Sequence, residues 1–189
     1  MDRIVARVEN DIILLSDVRE LKKYQDLVNG KSESESAIVD RLIDQWIVRS
    51  EAVLSRFPEL KSEEIDRGVS RVVKSFASAE EYEAHLKQSG LSDAEVRKIV
   101  TAQLYLDSYL DSRFRPSVQI DEKAVEDFYQ TAVVPRAKAR GQDPPTLEAS
   151  RDTIQDVLVQ SDIDEQAARW LKESRDRLHI QKYLDEGTQ

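Results

Sequence analysis

A mostly helical chain with a small sheet is what this sequence predicts: several helices, an N-terminal β-hairpin and a C-terminal strand. Three observations carry the prediction. Apolar residues recur near a 3.6-residue period through most of the 189 residues. Capping residues, glycines and prolines punctuate that pattern at short intervals. Two short apolar runs open the chain, and another closes it.

The opening run, Ile4-Val5-Ala6-Arg7-Val8, reads as a strand with Ile4, Ala6 and Val8 on one side and Val5 on the other. Glu9-Asn10-Asp11 is turn chemistry, and Ile12-Ile13-Leu14-Leu15 is the returning strand. Ser16 stands where an N-cap belongs, with Asp17 in the first turn, so a helix should follow and stop at Gly30. Residues 31–36 are polar and read as a mobile loop. The next helix carries Ile38, Leu42, Ile43, Trp46, Ile47, Val53 and Leu54 and ends before Pro58. Ser62 is placed to cap a helix bearing Ile65, Val69, Val72, Val73 and Phe76.

Two capping boxes follow, Ser78-x-x-Glu81 opening a helix that ends at Gly90, and Ser92-x-x-Glu95 opening a longer one that stops before Pro116. After an extended link at residues 118–120, Asp121 caps a helix with Val125, Phe128, Tyr129 and Val133, which should stop or kink before Pro135. Residues 137–145 hold Gly141 and Pro144-Pro145 and read as flexible. Thr146 starts the last long helix, with Ile154, Val157, Leu158, Ala168, Leu171 and Leu178 expected on its buried face. Residues 179–184 should form a strand able to pair with the hairpin, because a lone two-stranded ribbon is marginal in water. Residues 185–189 are expected to fray.

Composition narrows the function. The net charge is −9, and the densest basic cluster, Arg136, Lys138 and Arg140, is followed by Asp143, so nucleic acid is a poor partner. The absence of cysteine excludes disulfides, thiol catalysis and cysteine-ligated zinc. No run approaches the roughly 18 apolar residues of a membrane span, and Met1-Asp2-Arg3 leads into the first strand without an apolar signal-peptide core. An exported protein would then be a mature chain with an added Met. The two histidines, His85 and His179, read as surface or packing residues, and acidic pairs such as Glu63-Glu64 and Glu80-Glu81 sit at helix starts, where the dipole explains them. No phosphate loop, dinucleotide fingerprint or His-Glu-x-x-His motif is present. No enzyme activity and no cofactor are expected.

What remains is apolar and aromatic bulk. Tyr105 and Tyr109 lie one helical turn apart, as do Tyr82 and Leu86. With Phe76 and Phe114 they form the candidate peptide-binding set, either as core residues or as the floor of a cleft. An apolar cleft rimmed by charge would hold extended or partly folded polypeptide with little sequence preference.

Several segments, in order, resemble one family. Residues 2–18 are similar to the opening of mature SurA-type chaperones: strand, Asn-containing turn, strand, Ser-capped helix. Val39-Asp40-Arg41-Leu42-Ile43-Asp44-Gln45-Trp46-Ile47-Val48 is similar to that family's Leu-Ile-Asp helix. Gly90-Leu91-Ser92, the segment from Val118 to Tyr129, and the closing Ala168-Arg169-Trp170-Leu171 through His179-Ile180 continue the likeness. The family usually carries a parvulin-type isomerase domain between the last two segments. Here only residues 130–145 separate them, too few to fold as a domain, so its active-site residues have no counterparts. The resemblance implies one split chaperone domain of the SurA N-terminal type: residues 1–129 as hairpin and helical region, 130–145 as linker, 146–189 as the helix and strand that complete it. It implies an ATP-independent periplasmic holdase for unfolded outer-membrane or secreted polypeptides, without isomerase activity or membrane insertion. The alternative is a structural or assembly protein that grips one dedicated partner, or self-associates into a homo-oligomer by swapping its terminal helix.

Overall fold

The computed structural model describes residues 2–184, so the expectation for residues 185–189 falls outside it. Helix dominates, at 73%, with a three-stranded antiparallel sheet of order β2-β1-β3. The chain divides into two compact units. One holds the residues up to Tyr109 together with those from Leu171 onward, and the other spans Leu110–Trp170.

The first unit begins with strands β1 (Ile4–Val8) and β2 (Asp11–Leu14). Their two-residue turn sets Glu9 at φ 53°, in the left-handed region. A neighbouring segment holds this turn in place. Glu9 N–H donates to the His179 carbonyl at 3.0 Å, and His179 N–H donates to the Glu9 carboxylate at 2.8 Å. Strand β3 (Ile180–Lys182) then pairs antiparallel with β1, Val8 opposite Ile180 and Ala6 opposite Lys182. A register shift between Ile4 and Ala6 changes the expected alternation: Val5, Ala6 and Val8 are all buried while Ile4 is exposed. The bulge turns Val5 inward.

Helix α1 (Leu15–Asn29) starts before Ser16. Its first turn is capped from within, by Asp17 accepting the Leu14 N–H at 3.0 Å, and it ends at Gly30 with φ 69°. Helix α2 (Glu35–Leu54) starts inside the segment expected as a loop, because Ser34 accepts the Ala37 N–H. The short link before it is pinned. Arg41 and Gln25 both donate to the Glu33 carboxylate, Arg41 at 2.7 Å through Nη2 and Gln25 at 2.8 Å, and together they hold it down at a pKa of about 2. Helix α2 buries Ile38, Val39, Ile43, Ile47, Val48 and Ala52. Val53 and Leu54, expected on that face, are 67% and 79% exposed because the helix has outrun the core.

Helix α3 (Ser62–Lys74) is capped by Glu64, which takes the Lys61 N–H at 2.9 Å, so Ser62 is its first residue rather than its cap. Its Gly68 lies directly against helix α5 (Asp93–Phe114): a Cβ there would meet Leu104 Cδ1 at 2.5 Å and Val100 Cγ1 at 3.0 Å. Helix α4 (Ala79–Ser89) packs on α1 and α3. Both predicted capping boxes place their serines as N-caps. At Ser92 the exchange is reciprocal, with Glu95 N–H donating to Ser92 Oγ and Ser92 N–H to the Glu95 carboxylate.

The second unit begins in the last turn of α5. Asp121 caps α6 (Glu122–Phe128) by accepting the Ala124 N–H at 2.7 Å. The helix does not stop before Pro135. It widens into a π-turn at Tyr129–Val133 that runs into α7 (Val134–Ala139), and Pro135 sits at this junction, where the wider turn takes a residue without an N–H. Much of residues 130–145, the segment expected as a linker, is helical, and the two compact units meet in sequence at 109–110 and 170–171. Helix α8 (Leu147–Arg177) opens with Thr146 accepting the Ala149 N–H. It buries Ser150, Ile154, Ile163, Ala167, Trp170 and Ser174, while Val157 and Ala168 face solvent. The expected face loses register after Leu158, where the next buried position lies five residues on.

Candidate functional site

Of the six residues expected to bind peptide, five lie in the first unit and Phe114 lies in the second. Phe76, half-buried just beyond α3, meets Tyr82 edge to face at 5.5 Å, and Leu86 lies one turn further along α4. Tyr82 is buried and donates its hydroxyl to Asp93 at 3.2 Å. Burial, reinforced by that carboxylate, pushes the phenol up to about 12. Tyr105 and Tyr109 are buried on α5, each edge to face with Phe57 at 5.7 and 5.3 Å. Phe114 stands in the second unit, 6.0 Å from the Trp170 ring, over which Arg113 also lies. Tyr82, Leu86, Tyr105 and Tyr109 are buried, and Tyr105 also borders an open groove.

That groove, of about 630 Å³, lies in the first unit between α1 and α2 on one side and α5 on the other. Its existence follows from side-chain size. Helix α5 lines it with Ala94, Thr101 and Ala102, which are too small to fill the space, while Leu42 and Trp46 stand half-exposed on α2. Ile13, Leu21, Val48 and Ile99 complete an apolar floor, and Leu106 lies at one end. The Trp46 indole is fixed by donating to Asp11 at 2.8 Å.

Charge of both signs rims the groove: Asp17, Glu20 and Glu59 against Arg49, Arg97 and Lys98. Lys98 of α5 spans to Glu20 of α1 at 3.0 and 3.1 Å, and Arg97 is held by Asp66 at 2.6 Å. Leu21, Gln45 and Leu106 are shared with an adjoining, more polar groove of about 490 Å³ that also reaches Tyr24, Asn29, Asp44 and Gln103. No family model matches this chain, and no curated protein matches it either. The side chains themselves have to speak for function.

Among the described residues, no three His, Asp or Glu side chains are grouped to hold a metal, and no helix is long and apolar enough to cross a membrane. His85 is exposed beside Glu81 and Phe76, and His179 serves the hairpin through its backbone. The arrangement can exclude water from an apolar guest and can exchange hydrogen bonds with a polar one. Sequence reasoning missed the groove because it weighted aromatic residues, whereas the groove is chiefly aliphatic. Leu42 and Trp46, spaced i and i+4, sat in the helical stripe already. The available signal was the width of that stripe: Leu42 and Trp46 flank Ile38, Ile43 and Ile47, making α2 apolar over more than one face.

Proposed function

We propose that this chain is an ATP-independent holdase for unfolded outer-membrane or secreted polypeptides, acting in the periplasm without isomerase activity. The observation that carries the reading is the apolar groove of about 630 Å³, half-open and rimmed by both signs of charge. The resemblance of several sequence segments to SurA-type chaperones points the same way, as does the return of the chain's C-terminal segment to pair with the N-terminal hairpin.

Energetics suit transient capture. Each apolar side chain seated in the groove contributes about 1.5–3 kcal/mol. Association costs at least about 4 kcal/mol, so two or three seated side chains give weak, reversible binding. The mixed rim imposes no net charge on the guest, which favours a broad client range. A second reading, a protein dedicated to one partner, is favoured by the exposed Val53-Leu54 pair at the end of α2.

The deciding experiment is light scattering of a denatured outer-membrane protein diluted into buffer with and without the chain. Suppression at stoichiometric amounts without nucleotide, lost on Leu42→Asp with the fold retained by circular dichroism, is expected. No suppression at several-fold excess over more than one client sinks the reading and leaves the dedicated partner.

A further inference from the structure

The two adjoining grooves differ in chemistry, and the residues between them belong to both. Gln45 on α2 lines each, and its amide makes no hydrogen bond to the other described residues. The same holds for Asn29 on α1 and Gln103 on α5, both lining the polar groove. Gln25, by contrast, is committed to Glu33 at both ends of its amide. Three helices thus bring three uncommitted amides to a surface that continues directly into the apolar groove.

An amide side chain donates and accepts at once, which is the complement of a peptide unit. A helical guest has already paired its backbone groups internally and presents few to such a surface. An extended guest carries one unpaired N–H and one unpaired C=O per residue, with side chains alternating to opposite sides. We infer that the two grooves form one bipartite site for an extended polypeptide segment, the apolar part taking its side chains and Gln45, Gln103 and Asn29 its backbone. This rests on the holdase reading and narrows it: the guest is recognised by its unpaired backbone, a mark of the unfolded state, as well as by its hydrophobicity.

The test uses the whole chain and three fluorescent peptides of equal composition, alternating Phe or Val with Ser. One is unmodified, one has alternate backbone nitrogens methylated, and one is locked as a helix by a side-chain staple. Fluorescence anisotropy is expected to give the unmodified peptide an affinity about tenfold tighter than either of the others, the effect of losing one or two net hydrogen bonds. The double variant Gln45→Leu, Gln103→Leu, with unchanged circular dichroism, should erase that difference while still binding. Equal affinity of all three peptides for the unaltered chain overturns the inference and leaves the holdase reading intact. Failure of every peptide to bind overturns both.

Discussion

At the scale of single residues, Glu33 is held well below the ordinary carboxylate range. Hydrogen bonds from Arg41 and then Gln25 hold its pKa at about 2, well below the ordinary 4.5. A carboxylate with a lowered folded pKa contributes stability that is present above the unfolded value and is lost as pH falls through the folded one. The window is therefore between about 4.5 and 2. Both partners are more than a third exposed, so solvent screens the pair and the effect is small. Glu33→Gln should lower the urea midpoint slightly near pH 7, leave it unchanged near pH 2, and so flatten the acid limb of the midpoint against pH curve in that window. An unaltered acid limb would mean the unfolded chain keeps the same pairing. Asp44 behaves oppositely: burial pushes its carboxyl up, against the pull of Arg175, which bonds both Asp44 and Asp40 at 2.9 Å.

Among the elements, α3 and α5 approach closely at Gly68. Glycine inside a helix costs about 1 kcal/mol relative to alanine, so its presence there reflects the space it leaves. Gly68→Ala recovers that propensity but drives a methyl into Leu104 Cδ1, which can rotate, and Val100 Cγ1, which is stiff at χ1. The two effects nearly cancel. Gly68→Leu has no such escape and should destabilise by about 1–3 kcal/mol, the usual cost of overpacking. Chemical denaturation of both variants checks the pair, and a leucine variant as stable as the parent would mean that α3 is free to move off α5. The helix ends are set by equally local means: Asp17, Glu64, Glu81 and Glu95 each accept a backbone N–H three or four residues earlier, so side chains inside the helix replace or reinforce the serine caps.

For the molecule as a whole, the closing segment matters out of proportion to its length. Arg175 and Lys182 reach Asp40 at 2.9 and 2.6 Å across more than 130 residues of chain, and β3 covers the second edge of β1. Truncation after residue 170 should therefore lower stability by about 3 kcal/mol or more, since it strands two half-buried carboxylates and unpairs a strand edge. Urea unfolding followed by circular dichroism, with light scattering for aggregation, measures this. An unchanged midpoint would show that the first unit folds without its return segment.

Most helix and strand boundaries, the capping serines at 78 and 92, and the stops at Gly30 and Gly90 were determined by the sequence alone, because each depends on hydrogen bonds within a few residues. The pairing of the closing strand was legible too, since a hairpin needs a third strand and only one remained. Tertiary structure alone decided what depends on neighbours distant in the chain. It ended the core short of Val53 and Leu54, carried the chain through Pro135 by a π-turn, and shifted the buried face of α8 after Leu158. It also buried Tyr82, Leu86, Tyr105 and Tyr109 and opened a groove beside small side chains on α5. Periodicity says which side of a helix is apolar; whether that side meets a partner helix, a short residue or water is fixed only when the helices are brought together.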